Sequence, residues 1–276
     1  MRLRGTLTVL AAFVAGVLCA NPMTLKWDGG VPAAPTAVAR PFAGLLGDKL
    51  VVAGGSTFTD GVKAYSATIS VYDTKAKTWT VLDKALPQGT AEGGAWVVNA
   101  GNAIDPKPAL LCVGGVTAAG PTGDAFLLDA AGAVTDLPDF PAGTLSMPAA
   151  AAWKPGMTAN AWADGAVFVG GSLGGAPTNR AFALGQKDGK WEWAELPALP
   201  GPARVQAVAV TQNGDQKSFI LAVFGGSDGK AALTDGWGYT KTFEGTWAWK
   251  PLEGAPVCTV GASFLPVGDQ HALLVG

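Results

Sequence analysis

Histidine is almost missing from this chain: His271 is the one residue of its type among 276. A histidine-built zinc site needs two or three imidazoles, and a Ser-His-Asp triad needs its histidine beside a nucleophile. His271 instead opens the last apolar stretch, HALLV, where it reads as a polar residue at a strand edge. Cysteine is scarce too, with Cys19, Cys112 and Cys258 the full set. Cys112 within LLCVGG and Cys258 within PVCTVGAS read as buried small hydrophobes, and an exported compartment would also permit them a disulfide. Charged residues make up only 14%, the formal net charge is -2, and no basic run offers a footprint for nucleic acid. No GxxxxGK[ST] occurs, and GGSLGG is not followed by a helical pattern, so the glycines are not a phosphate cradle.

Helical periodicity is lacking beyond the first residues, and so is any apolar run of membrane-spanning length. Arg2 and Arg4 precede an apolar run from Leu7 to Leu18, and Ala20 is a small residue suited to a cleavage site. The run falls short of the ~20 residues that cross a bilayer, so residues 1–20 are expected to be a secretion signal, with no membrane span. Its removal would take the formal charge from -2 to -4 and place the mature protein in the periplasm or outside the cell.

What the chain has in excess is glycine, 39 residues, with 19 prolines and ten tryptophans in a sequence that is 49% hydrophobic. That is too apolar for disorder and too glycine-punctuated for helices. Stretches such as KLVVA and FILAVF are strand-like, and the fold class expected is all-β. One unit repeats. Paired glycines close an apolar strand at Gly54-Gly55, Gly114-Gly115, Gly170-Gly171 and Gly225-Gly226, spaced 60, 56 and 55 residues apart. A second strand follows each pair: TISVYD, DAFLLD, RAFALG, DGWGYT. Then come a turn and a tryptophan: Trp79, Trp191 with Trp193, Trp247 with Trp249; the second unit has AVTDLP instead. The units leave through Leu86-Pro87, Leu137-Pro138, Leu196-Pro197 and a degraded Leu252 to Pro256. A repeat of about 50 residues built from four strands is the mark of a propeller blade. The glycines reach backbone angles closed to other residues, and the tryptophan is an apolar plate between twisted sheets.

The order of paired glycine, aromatic strand, tryptophan and Leu-Pro resembles kelch repeats from Trp27 to the end of the chain. The segments ARPFAGLLGDKLVVAGG and WAELPALPGPARVQAVAV resemble the bacterial sialic-acid mutarotases (N-acetylneuraminate epimerases) and their cyclically permuted relatives. The resemblance implies a six-bladed ring. This chain holds four whole units, Trp27 as a lone outer strand and a fifth unit that stops at LLVG. Residues 21–276 are therefore expected to be a kelch-type β-propeller cut short by roughly one to two blades at its C-terminal end. A copper oxidase on a kelch scaffold would need two histidines and a Cys-linked tyrosine, which one histidine and three tyrosines do not supply. The Asp-box repeats of sialidase propellers are absent as well.

Propeller sites lie at one mouth of the central channel. Counting four back from Tyr72, Leu128, Leu184 and Tyr239 gives one equivalent position per blade: Thr68, Asp124, Arg180 and Asp235. The aspartates can cap loops or bind substrate; Arg180 can hold a carboxylate bidentately or pair with a neighbouring acid. A second set follows each Leu-Pro exit: Arg40, Glu92, Ser146 and Arg204, where the arginines can bind substrate or form bridges between blades. In the resembled mutarotases a glutamate just after a glycine pair and an arginine further on are the candidate active-site pair. Arg180 matches that arginine. Ser172, Leu173 and Gly174 stand where the glutamate would, and Glu92 on an adjacent blade is the acidic candidate. The expected site is thus Glu92 and Arg180 as catalytic residues, with Arg40, Arg204, Asp124 and Asp235 binding substrate.

The activity the resemblance implies is exchange of sugar-acid anomers, for which a base, an acid and a carboxylate-binding arginine suffice without metal or organic cofactor. The ligand is then a small sugar or sugar acid. The alternative is a non-catalytic propeller whose partner is a glycan or a protein.

Overall fold

The structure, a computed structural model, describes residues 29–102, 104–213, 219–241, 245–267 and 271–275. The expected secretion signal, Trp27 and Gly276 lie outside the described residues. The chain runs through β1 (Phe42–Leu46), β2 (Lys49–Ala53), a small hairpin of β3 (Ser56–Thr59) and β4 (Val62–Tyr65), then β5 (Thr68–Asp73) and β6 (Thr78–Ala85). Next come β7 (Gly94–Asn99), β8 (Pro108–Thr117), β9 (Gly120–Leu128) and β10 (Val134–Leu137). The third unit comprises β11 (Leu145–Ser146), β12 (Ala149–Ala152), β13 (Asp164–Val169), β14 (Ser172–Leu173), β15 (Ala176–Pro177), β16 (Ala181–Lys187) and β17 (Lys190–Leu196). β18 (Val208–Asn213), β19 (Phe219–Phe224), β20 (Gly236–Lys241) and β21 (Trp247–Leu252) follow, and then β22 (Ser263–Val267) and β23 (His271–Val275). Among the described residues no helix is long and apolar enough to cross a membrane.

Four antiparallel sheets result, in the orders β1-β2-β5-β6, β7-β8-β9-β10, β12-β13-β16-β17 and β18-β19-β20-β21, with β22-β23 beginning a fifth. Each is an antiparallel meander, in which β2 reaches β5 through the β3–β4 hairpin and β13 reaches β16 through β14–β15. The innermost strands stand side by side, β1 by β7, β7 by β12, β12 by β18 and β18 by β22, which sets the sheets out radially as propeller blades. Burial follows position in the blade. Middle strands such as β19, and β13 after its opening Asp164, are apolar because both faces are covered, whereas outer β17 mixes polar and apolar residues. The innermost β12 is AAAA, small side chains where blades converge.

The described residues form no single central core. The apolar residues form layers between successive blades. One layer joins Phe42, Ile69 and Leu110; the next joins Leu111, Phe168 and Leu184; a third joins Val167, Leu221 and Tyr239. At the rim, the outer-strand tryptophans close these layers as the repeat suggested, and they do more. Trp193 Nε1 donates to Pro138 O and Trp249 Nε1 to Pro197 O, each at 2.8 Å, so each indole bonds the Leu-Pro exit of the preceding blade. Trp79 Nε1 donates to Pro32 O, in the segment ahead of β1, at 3.0 Å.

Nearer the axis the glycine pairs do the corresponding work. Gly114 and Gly115 have φ of 63° and 117°, and the other three pairs are left-handed too. A Cβ on Gly114 would lie 2.0 Å from Leu145 O of the next connection; one on Gly54 would lie 2.3 Å from Thr90 O. Left-handed geometry and close backbone approach therefore both require glycine. Gly47, in the β1–β2 turn, has φ of 62° but nothing within 4 Å of a Cβ. We expect Gly47→Ala to cost about 1 kcal/mol in chemical denaturation, the backbone strain alone. Gly114→Ala should cost at least about twice that, since the blades must also move apart. Equal losses would show that the close approach contributes nothing.

Candidate functional site

Two residues before each innermost strand, the backbone turns left-handed. The positions are Arg40 (φ 52°), Glu92 (65°), Met147 (52°), Gln206 (58°) and Gly261 (71°). Non-glycine residues seldom adopt this conformation, and its recurrence in successive blades marks an imposed geometry. The cause is a chain of backbone hydrogen bonds linking blade to blade. Glu92 N–H donates to Arg40 O, Met147 N–H to Glu92 O, Gln206 N–H to Met147 O and Gly261 N–H to Gln206 O, at 2.6–3.0 Å. The arc brings these side chains to one mouth of the channel.

There they meet. Arg40 Nη2 donates to Gln206 Oε1 at 2.7 Å, reaching from the first blade to the fourth, and Gln206 Nε2 donates to Met147 Sδ at 3.3 Å. Gly261 leaves the room: a Cβ there would lie 3.4 Å from both Arg40 Nη2 and Gln206 Oε1. Arg40 is exposed and forms no ion pair among the described residues, so its guanidinium keeps donors free for an anion. Glu92 is engaged by Lys63, whose Nζ lies 2.7 Å from Glu92 Oε1 and 5.0 Å from the Tyr65 ring centroid. That hydrogen bond raises the Lys63 pKa above the usual lysine value against the smaller, opposite effect of burial. Lys63 is carried by the β3–β4 hairpin, whose Asp60-Gly61 turn is left-handed at both residues, as a tight two-residue connection demands. Phe58 faces Lys63 across the hairpin and is 68% exposed. Side-chain alternation puts Phe58, Lys63 and Tyr65 on one face.

The remaining expected residues go elsewhere. Arg204 is 0% exposed: Nη1 and Nη2 hold both oxygens of Asp235, Nη1 also reaches Gly225 O, and Nε reaches Pro202 O. Asp235 further accepts from Trp237 Nε1 at 2.6 Å. Burial pushes the Asp235 carboxyl up, but the bonds from Arg204 and Trp237 together outweigh it and hold the pKa below the usual range. Arg180 is bound bidentately by Glu195 at 2.8 and 2.9 Å and lies over Phe182, on the outer half of its blade. Asp124 accepts from Gln88 Nε2 at 2.7 Å between the first two blades. The aligned position of Arg180 and Asp235 is correct, since Thr68, Arg180 and Asp235 each accept the N–H of the first glycine of their pair. Their side chains, however, join blades and strands.

The second set needs a correction of register. Ser146 and Arg204 do not share the position of Arg40 and Glu92; Met147 and Gln206 do. The Leu-Pro exits mislead because Pro87 precedes Glu92 by five residues whereas Pro138 precedes Met147 by nine. The better anchor is the small or proline residue that follows: Pro41, Gly93, Pro148, Ala207, Ala262. Lys63 had no periodic signal, since the hairpin carrying it is longest in the first blade. Cys112 is buried as expected, Cys258 is exposed rather than buried, and both are free thiols. Among the described residues no cluster of three or more His, Cys, Asp or Glu could hold a metal ion.

Known proteins agree on the architecture. The family described as Kelch motif matches residues 39–84, the first blade. A solved structure titled "Structure of YjhT" is 14% identical and superposes with a TM-score of 0.66, covering 93% of this chain and 84% of its own. No curated protein matches the chain. The chain is an all-β, kelch-type β-propeller.

The Arg204–Asp235 pair gives a stability test. Asp235→Asn leaves a buried guanidinium without its counter-charge and should cost about 2–4 kcal/mol, discounted because the Asp235 side chain is 34% exposed. A carboxyl with a depressed folded pKa adds stability that is present above its unfolded value of about 4 and lost as pH falls below it. The gap between wild type and Asp235→Asn in urea melts should therefore close as pH drops through that range. A gap that holds at low pH would show that charge is not its source.

Proposed function

We propose that the mouth binds a sialic-acid-like sugar acid and interconverts its anomers in an exported propeller. The observation that carries this reading is Arg40: an exposed guanidinium without an acidic partner among the described residues, on the same backbone arc as the Lys63-bound Glu92. A guanidinium holds a carboxylate through paired N–H donors and fixes its orientation. Gln206 offers a neutral amide beside it. Arg180 is committed to Glu195, so the carboxylate-binding role passes to Arg40.

The chemistry asks little of the protein. Glu92, held as the acceptor of the Lys63 ammonium, takes the proton of the anomeric hydroxyl. The bond between the anomeric carbon and the ring oxygen breaks, a carbonyl forms, and the ring oxygen receives a proton from water or from Lys63. Rotation about the carbon–carbon bond beside the carbonyl and re-addition of the ring hydroxyl to the other face return both protons and give the other anomer. Phe58, exposed beside the mouth, supports a second reading, in which the same surface holds a glycan or protein without turning it over.

Exchange-rate NMR separates them, with N-acetylneuraminate and neutral hexoses as substrates. The expected result is acceleration of the sugar acid, reduced about 100-fold by Glu92→Gln. Arg40→Ala should weaken binding of the acid about tenfold and leave neutral sugars unchanged. Saturable binding with exchange no faster than in buffer would support the non-catalytic reading. Absence of binding would end both.

A further inference from the structure

Where the third and fourth blades hold a guanidinium, the second holds a cavity lined with acids. In the third blade the Arg180 guanidinium lies 4.7 Å from the centroid of Phe182 and bonds Glu195, which is the residue paired with Phe182 across β16 and β17. In the fourth blade the Arg180 position is Asp235, and Arg204 from the preceding connection supplies the cation. The second blade has Asp124 at that position, Phe126 where the third has Phe182, and Asp136 paired with Phe126 where the third has Glu195. The counterpart of Arg204 is Thr90, because each lies with its carbonyl against the first glycine of the preceding blade, Gly170 and Gly54 respectively. Both sources of a cation are gone, while the acids and the ring remain.

What is left is a cavity of about 320 Å³ lined by Gln88, Thr90, Asp124, Phe126, Asp136 and Asp139. Gln88 gives Asp124 one neutral hydrogen bond, and none of the three aspartates forms an ion pair among the described residues. We propose that this cavity binds a guanidinium group from outside the chain. A flat cation can lie on Phe126 as Arg180 lies on Phe182 and direct paired N–H groups to Asp124 and Asp136. A primary ammonium has the charge but neither the flat face nor the fork. The group can come from a free alkylguanidine or from an arginine side chain of a partner protein.

Titration calorimetry of the full chain at low salt tests this with propylguanidine, butylamine and a Gly-Arg-Gly peptide. Propylguanidine should bind, and butylamine should bind at least about tenfold more weakly. The double variant Asp124→Asn/Asp136→Asn, whose sites are exposed and whose fold should be unaffected, should lose about tenfold or more in propylguanidine affinity. Thr90→Arg should abolish binding by recreating the internal Arg204–Asp235 arrangement. Binding of both the peptide and propylguanidine assigns the site to a protein arginine; binding of propylguanidine alone assigns it to a small molecule. Equal affinity in wild type and double variant, equal affinity for butylamine, or no heat at about 10 mM ligand overturns the proposal.

Discussion

Backbone touching backbone, with no side chain between, is the constraint from which the rest of the molecule follows. At the first three glycine pairs the main chain of one blade presses on the backbone of the connection to the next, closely enough that a Cβ on Gly114 would sit 2.0 Å from Leu145 O; at the fourth, Gly225 meets the Thr259 side chain instead. That approach fixes where the connection must run. It also fixes the left-handed residue just beyond it, whose N–H reaches the corresponding carbonyl of the blade before. The side chains at the mouth are therefore placed by main-chain geometry, and their chemistry is free to vary. Arginine, glutamate, methionine, glutamine and glycine occupy equivalent positions here.

The charged residues divide along the same line. Those a step away from the arc serve the framework: Arg204 with Asp235 and Arg180 with Glu195 stitch strands and connections together with bidentate bonds. Those on the arc keep bonding capacity to spare. Arginine suits both tasks, because its planar fork satisfies a carboxylate equally well inside the protein and in a ligand. Residue type alone thus says little about which arginine meets solvent. Burial and partner decide it.

That division explains what could be read from the chain beforehand. The repeat, the all-β class, the tryptophan wedge and the role of the glycine pairs were legible, because each is a local requirement repeated in every unit. That Arg40 and Glu92 share one equivalent position was legible for the same reason. Arg204 was misplaced because connections of unequal length between Leu-Pro and the next strand break the count, while the backbone conformation that defines the position leaves no residue-type signature. Lys63 was overlooked because it belongs to a hairpin that is longer in the first blade than in the others. Pairing such as Arg180 with Glu195 was hidden for another reason: it depends on cross-strand register, which a single sequence gives only to within a residue or two.

The absence of a central core bears on how such a chain can change over generations. Each apolar layer is owned jointly by two adjoining sheets, so a lone sheet would carry two greasy half-layers into water. Partial units are consequently unfit as intermediates, whereas copying or deleting a complete one leaves every surviving layer with two owners. Growth and shrinkage of the array then proceed in whole repeats, and drift in residue identity is most tolerated at the axial opening, where the main chain alone holds the shape.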